Sequence, residues 1–201
     1  MNKRIIGLTG GIATGKTTVA NYLASAYNLP IFDADIYARD AVAVGSPILS
    51  AIAQRYGQQI LLPDGSLNRE KLGAIIFPQT DERHRVESLI HPYVVDRFEQ
   101  AIAQSPSQTL LLVIPLLFEA QMTDLVTEIW VVRCSELQQL QRLMQRNHLT
   151  PEQAQARINS QLSLAEKAAR ATVVLDNSST PESLLKEVDV ALAMNIQDDL
   201  S

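Results

Sequence analysis

Eight consecutive residues, Gly10-Gly11-Ile12-Ala13-Thr14-Gly15-Lys16-Thr17, place bare backbone, a primary amine and a hydroxyl at a fixed spacing. They satisfy G-x-x-x-x-G-K-[ST], the loop that binds phosphates in nucleoside-triphosphate enzymes. Glycines let successive N–H groups turn inward around a phosphate with no Cβ in the way. Lys16 is then expected to reach the β- and γ-phosphates of a nucleoside triphosphate, and the Thr17 hydroxyl to ligate Mg²⁺. Thr17 and Thr18 open a stretch of helical spacing, and the dipole and unpaired N–H groups of a helix start favour an anion.

A second group is acidic. Asp33-Ala34-Asp35 closes a short strand-like run. On an extended segment the two carboxylates share a side, beyond the carboxyl end of a parallel strand, where open α/β sheets bind ligands. Asp35 there can accept a proton from an acceptor hydroxyl or hold a water on Mg²⁺. A plain helix-start acid is the alternative. Arg39, four residues on, shares the face of Asp35 if the segment is helical, and could clamp a phosphate or pair with Asp35.

A third group is basic. Arg142 and Arg146 share one face of a helix over 136–147, and Arg157 lies on the next helix beyond a turn at 147–150. Guanidinium groups across a short turn suit closure over a triphosphate, although a solvated charged face accounts for at least one of the three. No Asp ends the run 109–114, where a magnesium-binding carboxylate often sits, and Glu119 is the carboxylate close by. The ion is therefore expected to rely on Thr17, phosphates and waters, with Asp35 near. His84, His91 and His148 have no metal-ligand spacing, and His91-Pro92 fits a helix bend or polar contact.

The elements that must position these groups are legible. Apolar runs at 4–8, 30–32, 109–114, 128–132 and 172–175 lack clean alternation, as strands covered on both faces do. Helical stretches separate them. The reading is α/β: a three-layer core with a mostly parallel five-stranded sheet. Ser46-Pro47, Thr150-Pro151 and Thr180-Pro181 put a capping hydroxyl before a first-turn proline. Ser163-Leu164-Ala165-Glu166 and Thr150-Pro151-Glu152-Gln153 read as capping boxes. Two stretches exceed a minimal alternation. Residues 34–107 read as helices at 36–44, 48–56, 69–76 and 81–103 with a turn at Pro63-Asp64-Gly65-Ser66, and suit an acceptor-binding insertion. Residues 135–171 resemble a lid by position and charge. Extra packing helices would explain either stretch as well.

The 201 residues suit one domain, with 46% hydrophobic and 19% charged residues. A net charge of -5 and 5% aromatic residues argue against general nucleic-acid binding. Cys134 is the single cysteine, which excludes an internal disulfide and reads as a buried structural thiol. No apolar stretch approaches the roughly 20 residues of a membrane span. A cytoplasmic enzyme without a membrane partner is expected, as a monomer or weak homo-oligomer. The polarity of residues 195–201 predicts fraying.

Several segments together resemble the dephospho-coenzyme A kinase family over nearly the whole chain, to about Leu192. They are Ile6-Gly7-Leu8-Thr9-Gly10-Gly11, Gly15-Lys16-Thr17-Thr18, Asp33-Ala34-Asp35-Ile36-Tyr37-Ala38-Arg39, Leu67-Asn68-Arg69, His91-Pro92 and Pro115-Leu116-Leu117-Phe118-Glu119. Gln145-Arg146-Asn147, Arg157-Ile158-Asn159-Ser160-Gln161, Lys167 and Asp176-Asn177-Ser178 complete them. The loop alone is shared by many proteins, whereas the run from Asp33 to Arg39 together with the run from Pro115 to Glu119 is far more specific. Ala13-Thr14 stands where the family usually has Gly-Ser, and Arg146-Asn147 where Arg-Asp is common.

The resemblance implies one domain of three parts: a nucleotide core over 1–35, 108–134 and 172–195, a helical coenzyme-binding insertion over 36–107, and a lid over 135–171. It implies ATP-dependent phosphorylation of the 3′-hydroxyl of the dephospho-coenzyme A ribose, with Asp35 as base. By the same likeness Asp33, Arg39, His91, Leu117 and Glu119 lie at the acceptor site, Arg142 and Arg157 serve the lid, and Asn177 lies near the adenine. The residues alone also admit another small-molecule kinase, acting on a nucleoside monophosphate or sugar acid. A GTP switch lacks Asn-Lys-x-Asp and Asp-x-x-Gly motifs here, and intact Lys16, Thr17 and Asp35 argue against an inactive nucleotide-binding module.

Overall fold

The computed structural model describes residues 3–194, so the expectation for 195–201 lies outside the described residues. Among the described residues, β1 (Arg4–Gly10), β2 (Ile31–Asp33), β3 (Thr109–Val113), β4 (Glu128–Arg133) and β5 (Val173–Asp176) form one sheet in the order β2-β3-β1-β4-β5. β1 pairs parallel with β3 and β4, and β4 parallel with β5. The helices are α1 (Lys16–Tyr27), α2 (Ala34–Ala41), α3 (Pro47–Tyr56), α4 (Arg69–Ile76), α5 (Thr80–Gln104), α6 (Glu136–Asn147), α7 (Pro151–Asn159), α8 (Leu164–Ala169) and α9 (Pro181–Ala193). The α/β reading with a mostly parallel five-stranded sheet holds.

The chain forms two compact units, one of residues 3–32 and 105–194 and the other Asp33–Gln104. In the first, the strand pattern explains the core. Ile6 and Leu8 of β1 lie in register with Leu111 and Val113 of β3, and Leu8 with Trp130 of β4. These side chains pack with Val19 and Leu23 of α1 and Leu184 and Val188 of α9. Leu110, Leu112 and Val131, of opposite parity, are buried too, so both sheet faces are covered, and alternation is absent for that reason. Arg4 pairs with the buried Glu128, while its Nη1 and Nη2 donate to the carbonyls of Leu192 (2.7 Å) and Ala191 (3.1 Å). A cation on the last carbonyls of α9 complements that helix's dipole and ties it to the central strand.

The second unit is helical, packed around Leu49, Ile52, Ile60, Leu72 and Val86. Ser46 caps α3 by accepting from the Leu49 N–H at 3.0 Å, and Asn68 caps α4 by accepting from the Lys71 N–H at 3.0 Å. Pro92 lies inside α5. One expectation is corrected here. Asp33 and Asp35 do not share an extended segment: Asp33 ends β2 and caps α2, accepting from the Asp35 N–H at 2.8 Å, while Asp35 is in the first helical turn. An aspartate favours this cap because its carboxylate satisfies an orphan N–H, so the chain turns helical two residues earlier than the apolar pattern indicates.

Candidate active site

The loop after β1 is shaped by glycine. Gly10 has φ +146°, and a Cβ there would lie 2.3 Å from the Val132 carbonyl oxygen. Gly15 has φ +110°, and its Cβ would lie 2.3 Å from Asn177 Nδ2. At Gly10 both conformation and the backbone oxygen exclude other residues; at Gly15 the positive φ disfavours them, and a Cβ would also displace the Asn177 amide. Ala13 also lies in the left-handed region, at φ 61°, with a Cβ. Gly15 offers α1 no side-chain cap, and no acid stands in the helix's first turn, so its positive end is left for an anion. The Lys16 ammonium donates to the carbonyls of Gly11 (2.7 Å) and Gly10 (3.3 Å). Thr17 and Thr18 are exposed, and Thr14 is buried with its hydroxyl on the Gly11 carbonyl at 3.0 Å.

Three distant side chains hold this loop. Gln139 of α6 donates to the Ile12 carbonyl at 2.9 Å, and Gln161, just past α7, accepts from the Ile12 N–H at 3.0 Å. Asn177, just past β5, donates to the Thr14 carbonyl at 2.8 Å. Arg142 donates through Nη2 to the Asn177 carbonyl at 3.1 Å. Its Nη1 is buried with no partner among the described residues. A guanidinium donor in that state fits a phosphate oxygen, since a buried charged donor left unpaired is costly. Arg146 and Arg157 are exposed, and Arg146 donates to the Asn147 side chain at 2.9 Å. The three arginines are thus not equivalent. Burial pushes the Cys134 thiol up, against a partial lowering by Arg142, which suits a structural thiol.

Past β3, Leu117 is fully buried and Glu119 is partly exposed. Glu119 Oε1 accepts from the Leu162 N–H at 3.0 Å and from Lys167, a fully buried ammonium, at 2.9 Å. Among the described residues, no group of three or more His, Cys, Asp or Glu side chains could hold a metal. A magnesium ion here would depend on the Thr17 hydroxyl and on phosphate oxygens, a donor set normal for this cation.

In the other unit, Asp35 and Arg39 are both exposed on α2, four residues apart. Asp33 is pushed up by burial, against a lowering by the Asp35 N–H. Arg69 is pushed down first by burial and then by Arg39, with Asp35 acting the other way, so these three charges feel one another. Burial also pushes the His91 imidazole down. Of the residues that hold the loop, neither Gln139 nor Gln161 carries a role in the sequence reading. The signal for Gln139 is a glutamine at a buried helical position, visible only once the apolar face of α6 is drawn with Leu143.

A glycine loop with Lys16 at the carboxyl end of a central parallel strand defines the P-loop class of phosphoryl-transfer proteins. A family model described as dephospho-CoA kinase matches residues 4–182. A dephospho-CoA kinase of Trichormus variabilis is 80% identical over 192 residues, 96% of this chain and 98% of its own. Among solved structures, the Thermus thermophilus protein TT1252 matches with a TM-score of 0.84 at 28% identity, over 96% of this chain and 98% of that one. The dephospho-CoA kinase of Campylobacter jejuni matches with a TM-score of 0.69 at 26% identity, over 94% and 96%. The chain belongs to the dephospho-coenzyme A kinase family; it is a kinase, and it uses ATP.

Proposed function

We propose that this chain transfers the γ-phosphoryl group of ATP to the 3′-hydroxyl of the dephospho-coenzyme A ribose, giving coenzyme A. The observation that carries the reading is the loop, whose left-handed Gly10 and Gly15, uncapped helix start and Lys16 suit a triphosphate. Lys16 exchanges the Gly11 carbonyl for β- and γ-phosphate oxygens, and the N–H groups from Gly11 to Thr18 surround the β-phosphate. Arg142 offers Nη1 to the phosphates, and Arg157, at the end of α7, adds charge when the 135–171 segment closes as a lid. Thr17 holds Mg²⁺, which when bound neutralises charge on the transferring group.

The Asp35 carboxylate accepts the proton of the attacking hydroxyl and orients it. Asp33 supports Asp35 through the cap hydrogen bond to its N–H. Arg39, His91, Leu117 and Glu119 serve the acceptor, Leu117 as a buried apolar residue, and the 36–107 insertion carries the coenzyme. Asn177 shapes the nucleotide site by holding the Thr14 carbonyl. The work is positioning and electrostatics, with closure excluding the water that would otherwise hydrolyse ATP. A cytoplasmic location fits this substrate, and among the described residues no helix is long and apolar enough to cross a membrane.

The test is ATP consumption by the purified chain with Mg²⁺ and dephospho-coenzyme A, with the product identified by mass. AMP, shikimate and gluconate serve as parallel acceptors. A gain of one phosphoryl group on dephospho-coenzyme A alone is the expected result. Transfer to another acceptor overturns the substrate assignment, and no transfer overturns the reaction.

A further inference from the structure

We infer that Lys167 is a positioning residue of the reaction, holding Glu119 so that one carboxylate oxygen is presented to a hydrogen-bond donor of the acceptor. The inference rests on the acceptor assignment of Glu119 made above. Lys167 is fully buried, which is rare for a lysine and costly unless its charge is paired. Its ammonium lies 2.9 Å from Glu119 Oε1 and donates to the Pro115 carbonyl at 3.1 Å. The Thr9 hydroxyl, at the end of β1, donates to the same Pro115 carbonyl at 3.1 Å.

The two oxygens of Glu119 are used unequally. Oε1 takes both the Lys167 ammonium and the Leu162 N–H at 3.0 Å. Oε2 is buried and has no hydrogen-bond partner among the described residues. A carboxylate tethered through one oxygen has its second in a set direction, and a buried acceptor without a partner is one a ligand can satisfy. Leu162 and Lys167 are themselves fixed by the capping box of α8, in which the Ser163 hydroxyl and N–H both donate to Glu166 Oε2 (2.6 and 3.0 Å). A buried ion pair is weak evidence for stability alone, because apolar replacements of both partners often do as well. Here the pair sits beside the tips of β1 and β3 and leaves one oxygen unspent, which suits orientation better than packing.

Steady-state kinetics on the full chain test this with Lys167→Met, Glu119→Gln and the double variant, each checked for folding by circular dichroism. Both single variants are expected to raise the KM for dephospho-coenzyme A roughly 10- to 100-fold, the loss of one hydrogen bond to a charged group. Their KM for ATP stays unchanged, and the double variant is no worse than the worse single. A folded Lys167→Met with an unchanged acceptor KM overturns the inference and leaves the Glu119 assignment standing. So does an equal rise in both KM values, or a fully additive double variant. An unchanged acceptor KM in Glu119→Gln overturns the Glu119 assignment itself. Removing one partner of a buried pair can prevent folding, whereas neutralising both is better tolerated. If Lys167→Met does not fold, the double variant is compared with Glu119→Gln: equal acceptor KM values support the inference and a further rise overturns it.

Discussion

At the scale of single residues, the sharpest question is what Asp35 does. It stands exposed in the first turn of α2, where a carboxylate is favoured by the helix dipole whatever its chemistry. Asp35→Asn keeps the volume and removes the basicity. If Asp35 takes the hydroxyl proton, kcat falls roughly 10²–10⁴-fold, while ATP affinity measured by titration is unchanged. A loss of ATP affinity with kcat preserved would make it a magnesium-shell residue instead. Ala13 poses a different question, because it keeps a Cβ at φ 61°, where an L-residue is strained. Ala13→Gly relieves that strain but adds freedom to the unfolded chain. The net expected gain is at most about 1 kcal/mol, read as a higher urea midpoint with an unchanged slope. A lowered midpoint would show that the Ala13 methyl contributes packing worth more than the strain.

At the scale of elements, the helix that carries Arg157 is set by its cap. The Thr150 hydroxyl accepts from the Gln153 N–H at 3.3 Å, and Gln153 Oε1 accepts from the Thr150 N–H at 3.0 Å. Thr150→Ala removes half of this box, at a cost of about 1 kcal/mol. Amide exchange should accelerate across α7 and remain as slow as before in α1, where the variant touches nothing. Unaltered exchange in α7 would show that packing against α6, not the cap, holds it. This cap was legible from four consecutive residues, as were the caps of α3, α8 and α9, because capping is local chemistry. The strands were legible because burial on both faces leaves dense apolar runs. What the chain hid is non-local. Ile12 is held by Gln139 and Gln161, 127 and 149 positions away, and Asn177 reaches Thr14 across 163. Nothing in the spacing of a glutamine states which carbonyl it will meet. The Asp33–Asp35 error has the same origin in reverse: a local cap bond outweighed the strand-like pattern before it.

At the scale of the whole molecule, acid should act through particular carboxylates rather than through the net charge of -5. Glu82 is held down to about 2 from an ordinary 4.5, first by the Arg55 hydrogen bond and then by the Tyr56 hydroxyl at 2.6 Å. A carboxylate depressed in the folded state binds fewer protons there than in the unfolded chain. Its stabilisation is therefore complete above about pH 4.5 and is lost as pH falls toward about 2. Arg55 is well exposed, so solvent screens the pair and the contribution is modest. His91 acts earlier in the same direction, since burial pushes its imidazole below 6.5 and the unfolded chain takes up that proton first. Thermal melts of the parent and of Glu82→Gln across this range separate the two. At pH 7 the variant melts lower, because the Arg55 and Tyr56 donors lose a charged acceptor. The gap persists through the His91 range, because both proteins carry that histidine, and closes only below about pH 4.5, the ordinary value of Glu82. A gap that stays constant down to about pH 2, near the folded value of Glu82, would show that its role is steric packing rather than charge.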